Sequence, residues 1–146
     1  MSIFHSMNIS GSDLTAQRLR MDIASSNMAN AQTTRAVLNE EGDWEPYQRK
    51  MAVLQPQEST FHSVFQEAVK VNGVKSVEIT NDESPFKQLY NPDHPDANAA
   101  GMVEMPNVDP LKETVDMMSA TRSYEANITA LNASKGILMK ALEIGK

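Results

Sequence analysis

The sequence predicts an α+β fold, with long N- and C-terminal helices forming a coiled-coil-like domain and a small, mainly antiparallel β domain inserted between them. Three observations predict it. After Asp109-Pro110 the chain runs to Lys146 without another proline. Residues 12–32 carry a second apolar stripe at heptad-like spacing. Six of the seven prolines fall between Pro46 and Pro106, where helical periodicity fades. The resulting divisions are 1–34, 35–108 and 109–146.

The C-terminal helix starts from a carboxylate cap, Asp109, with proline at the first helical position, Pro110. Met117, Thr121, Tyr124, Ile128, Leu131, Lys135, Leu138 and Leu142 then recur at alternating spacings of four and three, which places them on one stripe. Leu111, Val115, Met118, Ile137 and Met139 fall partly off it, so more than one face is apolar. At about 1.5 Å per residue the helix spans roughly 50 Å, longer than a domain of this size needs internally. Its cover has to come from elsewhere.

The N-terminal helix is expected from about Ser12 to Gln32, capped by Ser12 or Asp13, with Ser10-Gly11 weakening or breaking it upstream. Leu14, Met21, Ala24, Met28 and Ala31 form its stripe, and Leu19 and Ile23 lie outside. The segment from Ser25 to Thr34 admits two readings. Its asparagines either end a frayed helix, with Asn30 as the cap, or sit in a polar seam where Asn27 needs a partner. Asn127, between Tyr124 and Leu131, poses the same question, since a buried polar group in a helical seam fixes register at a cost in stability.

In the middle, Tyr47 to Gln55 alternates as a strand with Tyr47, Arg49, Met51 and Val53 on one face. Residues 61–71 read as strand or short helix, Asn72-Gly73 as a tight turn, and Val74 to Thr80 as a strand. Asn81 to Pro85 is a turn before a short run through Phe86, Leu89 and Tyr90, and Asn91 to Pro106 is a loop.

Charge is unevenly shared. Residues 35–108 hold six basic and twelve acidic groups and therefore carry the whole net charge of −6, while both ends are neutral. With no basic patch, nucleic acid is not an expected partner. Neutral ends can crowd against copies of themselves, and an acidic middle is better placed facing water. Cysteine is absent, which excludes disulfides and thiolate sites. No apolar run approaches the roughly 18 residues of a membrane span, and Met1 to Ser10 lacks the features of a signal peptide.

No cofactor or metal is expected. Asp93, His94 and Asp96 are metal-capable, but His5 and His62 stand apart and no acidic alternation precedes a glycine; a proline-stiffened turn accounts for them. Glu40, Glu41, Asp43 and Glu45 read as a solvated loop. No phosphate-binding glycine loop, nucleophile elbow or zinc-binding helix motif is present, so an enzyme is not expected.

The run from Leu14 to Thr34, with its Ala29-Asn30-Ala31-Gln32-Thr33 core, resembles the N-terminal signature of bacterial flagellar rod and hook proteins. Asn91 to Asn98, Pro106-Asn107-Val108 and Arg122-Ser123-Tyr124-Glu125-Ala126-Asn127 resemble the proximal rod members of that family, with Met102 standing where their pattern has tyrosine. The resemblance implies a structural subunit. Its terminal helices would bundle into an inner tube around the export channel, the middle domain would lie outside, and copies would polymerise helically with other rod proteins after passage through the flagellar type III export apparatus. It implies a subunit interface through Leu14, Gln17, Met21, Ala24, Asn27, Met28, Asn30 and Thr33 on the first helix. On the second it implies Met117, Tyr124, Asn127, Ile128, Leu131, Leu138 and Leu142. The competing expectations are a soluble coiled-coil adaptor or chaperone-like module, and a small metal-dependent enzyme built on Asp93, His94 and Asp96.

Overall fold

The computed structural model of the 146-residue chain describes residues 3–40, 42–56 and 73–144. Two long helices pack together, α1 (Ile3–Ala29) and α2 (Pro110–Ile144), and among the described residues six short strands lie between them in sequence. The strands are β1 (Val37–Leu38), β2 (Trp44–Glu45), β3 (Lys50–Pro56), β4 (Val74–Asn81), β5 (Lys87–Tyr90) and β6 (Met102–Met105). The readings of residues 61–71 and of a turn at Asn72 lie outside the described residues.

α2 begins as its sequence dictates: the Leu111 N–H donates to Asp109 Oδ1 at 3.1 Å, and Pro110 has no N–H to satisfy. α1 begins earlier than expected, because Ser10-Gly11 does not interrupt it. Glycine costs only about 1 kcal/mol against alanine in a helix, and the turns on either side stay closed. Ser12 Oγ donates back to the Ile9 carbonyl at 2.7 Å, a mid-helix bond rather than a cap. The helix ends at Ala29, short of Gln32. There the Asn30 amide donates to the Ser26 carbonyl at 2.9 Å, and the Ala31 and Thr33 N–H groups tighten to i−3 bonds.

Among the described residues the middle forms three two-stranded ribbons, β1-β2, β3-β4 and β5-β6. β1 and β2 form an antiparallel hairpin (Val37↔Glu45, Leu38↔Trp44) where a solvated loop was expected. Gly42, at φ 90°, supplies its left-handed turn residue, and Asn39 Oδ1 accepts from the Asp43 N–H. The expected loop from Asn91 to Pro106 contains β6, antiparallel to β5 from Lys87↔Met105 to Tyr90↔Met102. Of its three prolines, Pro92 and Pro95 sit in the connecting turns and Pro106 just after β6, so they cost the ladder nothing. At Gly101 the φ is 75° and a Cβ would stand 2.9 Å from the Tyr90 ring, so both backbone and space demand glycine.

The chain forms two compact units, Met1–Met21 with Ala52–Glu78 and Met118–Lys146, and Asp22–Met51 with Ile79–Met117. In the first, α1 and α2 run antiparallel: Asn127 Nδ2 donates to Asp13 and Thr121 Oγ1 to the Met21 sulfur. Ser12 Oγ also accepts from the Val74 N–H at 3.1 Å, which fixes the start of β4 on α1. In the second, Tyr47, Val103, Pro106 and Val108 are buried together with Asn27 and Glu113.

Candidate functional site

Within the second unit a buried polar cluster joins the end of α1, the approach to β3, the Asp82 turn and the first turn of α2. Asn27 has no exposed surface and uses its whole amide: Oδ1 accepts from the Tyr47 hydroxyl (3.0 Å) and the Lys50 N–H (2.9 Å), and Nδ2 donates to the Lys50 carbonyl (2.9 Å) and Glu113 (3.0 Å). The other Glu113 oxygen accepts from Arg49 Nε at 2.6 Å, and Arg49 reaches Asp82 at 3.4 Å and Asp116 at 3.6 Å. Asn107 completes the frame, accepting from the Arg49 N–H and donating to the Asp82 and Ser84 carbonyls. No buried side-chain nitrogen or oxygen among the described residues lacks a partner. A buried ion pair tolerates its desolvation only under such full satisfaction.

Burial works against the Arg49 charge, but hydrogen bonding and attraction to Glu113, then Asp82, outweigh it and hold the guanidinium above its ordinary pKa. Asp82 is held below the usual carboxylate range by the Ser84 hydroxyl and N–H and, more weakly, by Arg49. Asp96 is likewise lowered, by Arg35 and then Thr34, so this member of the Asp93, His94, Asp96 group serves as an ion-pair partner. His94 Nδ1 accepts from the Asp96 N–H, which closes the turn. Among the described residues no cluster of His, Asp and Glu is arranged to hold a metal.

The helix faces divide cleanly on α2. Glu113, Met117, Ala120, Tyr124, Asn127, Leu131, Ser134 and Leu138, alternating by four and three, are buried or half-buried. Met117, Tyr124, Asn127, Leu131 and Leu138 of the expected interface therefore lie on this covered stripe, whereas Ile128 and Leu142 stand exposed. A second stripe of Leu111 (74% exposed), Val115 (53%) and Met118 (52%) faces outward, and Ile137, Met139 and Ile144 extend the exposed apolar surface towards the C-terminal end. On α1, Gln17, Ala24 and Asn27 are buried by the chain itself, while Leu14, Met21 and Met28, with Asn30 and Thr33 just beyond the helix, are half-buried.

Sequence reasoning missed the Arg49–Glu113 pair. Its signal was a carboxylate at stripe position: Glu113 precedes Met117 by four and Ala120 by seven, a place where an apolar residue is the default.

Both ends of the chain match models of flagellar rod proteins. Residues 7–36 match "Flagella basal body rod protein", and residues 99–144 match "Flagellar basal body rod FlgEFG protein C-terminal". Over full length it is 57% identical to the flagellar basal-body rod protein FlgC of Bacillus subtilis, with all of both chains covered. It is 39% identical to FlgC of Borreliella burgdorferi, over 99% of this chain and 98% of that one, and 37% identical to FlgC of Escherichia coli O6:H1, over all of both. The chain belongs to the FlgC family of flagellar basal-body rod proteins. It is a structural component of the basal-body rod, not an enzyme. No described helix is long and apolar enough to cross a membrane.

Proposed function

We propose that copies of this chain polymerise helically through their terminal helices into the proximal part of the rod, meeting other rod proteins above and below. The observation that carries this reading is the outward stripe of Leu111, Val115 and Met118 on α2, each more than half exposed beside a stripe the chain covers itself. Apolar area on this scale is stabilised when a neighbouring subunit removes it from water, at roughly 25 cal/mol per Å². Methionines at 21, 28, 117 and 118 suit contacts with neighbours of slightly different shape. Helical contacts of this kind are heterologous, so geometry rather than closure has to limit the length of the stack. The same reading has the chain delivered through the flagellar type III export apparatus, in line with its family. The expected interface on Leu14, Ile128 and Leu142, which the chain leaves half-buried or exposed, belongs to this proposal.

Replacing Leu111 and Val115 together by aspartate tests it. The isolated variant keeps its urea midpoint, because neither side chain is buried, and disappears from purified basal bodies. Recovery of the variant there at normal stoichiometry would refute this use of the stripe.

A further inference from the structure

Several of the side chains where α1 meets α2 are small or pliant. Ala16, Ala24 and Ala120 are buried, and Met21 and Met28 lie against the hydroxyls of Thr121 and Thr114. Such contacts offer little resistance to one helix sliding along the other by a heptad. Two polar pairs supply the resistance. In one unit Asn127 donates to Asp13 at 2.5 Å; in the other Asn27 donates to Glu113 at 3.0 Å, with both residues buried.

The two pairs obey one alignment. Asp13 to Asn27 is fourteen positions on α1, and Glu113 to Asn127 is fourteen on α2, two heptads in each case. A slide of one heptad sets Asn27 against Ala120 in one direction and past the start of α2 in the other. Either way Glu113 loses Asn27, and a buried carboxylate deprived of a hydrogen-bond partner is disfavoured.

We propose that Asn27–Glu113 and Asp13–Asn127 are register pins, which admit a single axial alignment of α1 with α2. The asparagines that looked, from sequence, like register elements between subunits act first within the chain. The pins stand whether or not the helices assemble. Their use in the rod rests on the reading above: with one alignment, every subunit presents its outward stripe at the same height.

Because the chain has no cysteine, introduced pairs report alignment directly. In the otherwise unchanged full-length protein, Met21→Cys with Thr121→Cys forms a disulfide, whereas Met21→Cys with Ile128→Cys, one heptad displaced, stays at background. With Asp13, Asn27, Glu113 and Asn127 all replaced by leucine, the displaced disulfide rises about tenfold relative to the first, as the loss of about 1.4 kcal/mol of discrimination requires. Restoring either pair alone returns the original pattern, and Asp13→Asn in the intact chain, which keeps the acceptor, leaves it unchanged. An unaltered pattern in the four-leucine variant would overturn the proposal. So would loss of both disulfides there, since the pairs would then hold the helices together instead of aligning them. All readings are made on the isolated chain, so failure of rod incorporation cannot imitate either result.

Discussion

The two units of this chain solve the burial problem in opposite ways. Asp22–Met51 with Ile79–Met117 encloses Tyr47, Val103, Pro106 and Val108 around a satisfied ion pair. The described residues of Met1–Met21, Ala52–Glu78 and Met118–Lys146 bury only Ala16, Gln17, Gly73 and Ala120, while Phe4, Ile137, Leu142 and Ile144 stand in solvent. Buried alanines contribute little apolar area, so the helix ends draw most of their stability from whatever covers them. One unit is a finished body. The other is half of an interface.

The sharpest way to break this contrast is at Arg49. Arg49→Ala leaves Glu113 buried without its cation and should cost about 3–5 kcal/mol of the second unit's stability, read as a lowered urea midpoint. Val103→Ala, in the same unit, should cost roughly 2 kcal/mol, from lost methyl burial plus a cavity. If either variant melts like the parent, the second unit is not the self-sufficient body described.

Acid should act on the second unit as well. Asp82 and Asp96 have folded pKa values below their ordinary ones, so the stability they contribute is complete above the ordinary value, about 3.9, and is lost as pH falls through the folded value. Urea midpoints should therefore hold steady down to about pH 5 and decline below about pH 4. Asp82→Asn should flatten part of that decline. The smallest effect on stability belongs to the first unit: Leu142→Asp, at an exposed position, should change the midpoint by less than about 0.5 kcal/mol. It should still lower incorporation into basal bodies.

Local signals were legible and distant ones were not. Asp109-Pro110 announced the start of α2 because a cap and a proline act within one turn. Asn30 was readable as a helix-end cap for the same reason. Gly11 misled, since a glycine's cost of about 1 kcal/mol is easily met by the rest of a long helix. β1 and β2 are two residues each, too short to alternate. Among the prolines, β6 showed no pattern of its own until paired with β5. Asn27 was recognisable as a group in need of partners, but three of them, Tyr47, Lys50 and Glu113, arrive from 20, 23 and 86 positions away. No spacing rule in the sequence joins such residues.

Amide hydrogen exchange, measured on the isolated chain and again on purified basal bodies, tests the central contrast most directly. The account predicts slow exchange at residues 22–29 and 102–117 in both samples. At residues 3–21 and 118–144 it predicts exchange in the isolated chain that is faster than in the second unit, and slower exchange once the rod covers them. Equal protection of both units in the isolated chain would contradict it, because the terminal helices would then need no neighbour to be stable.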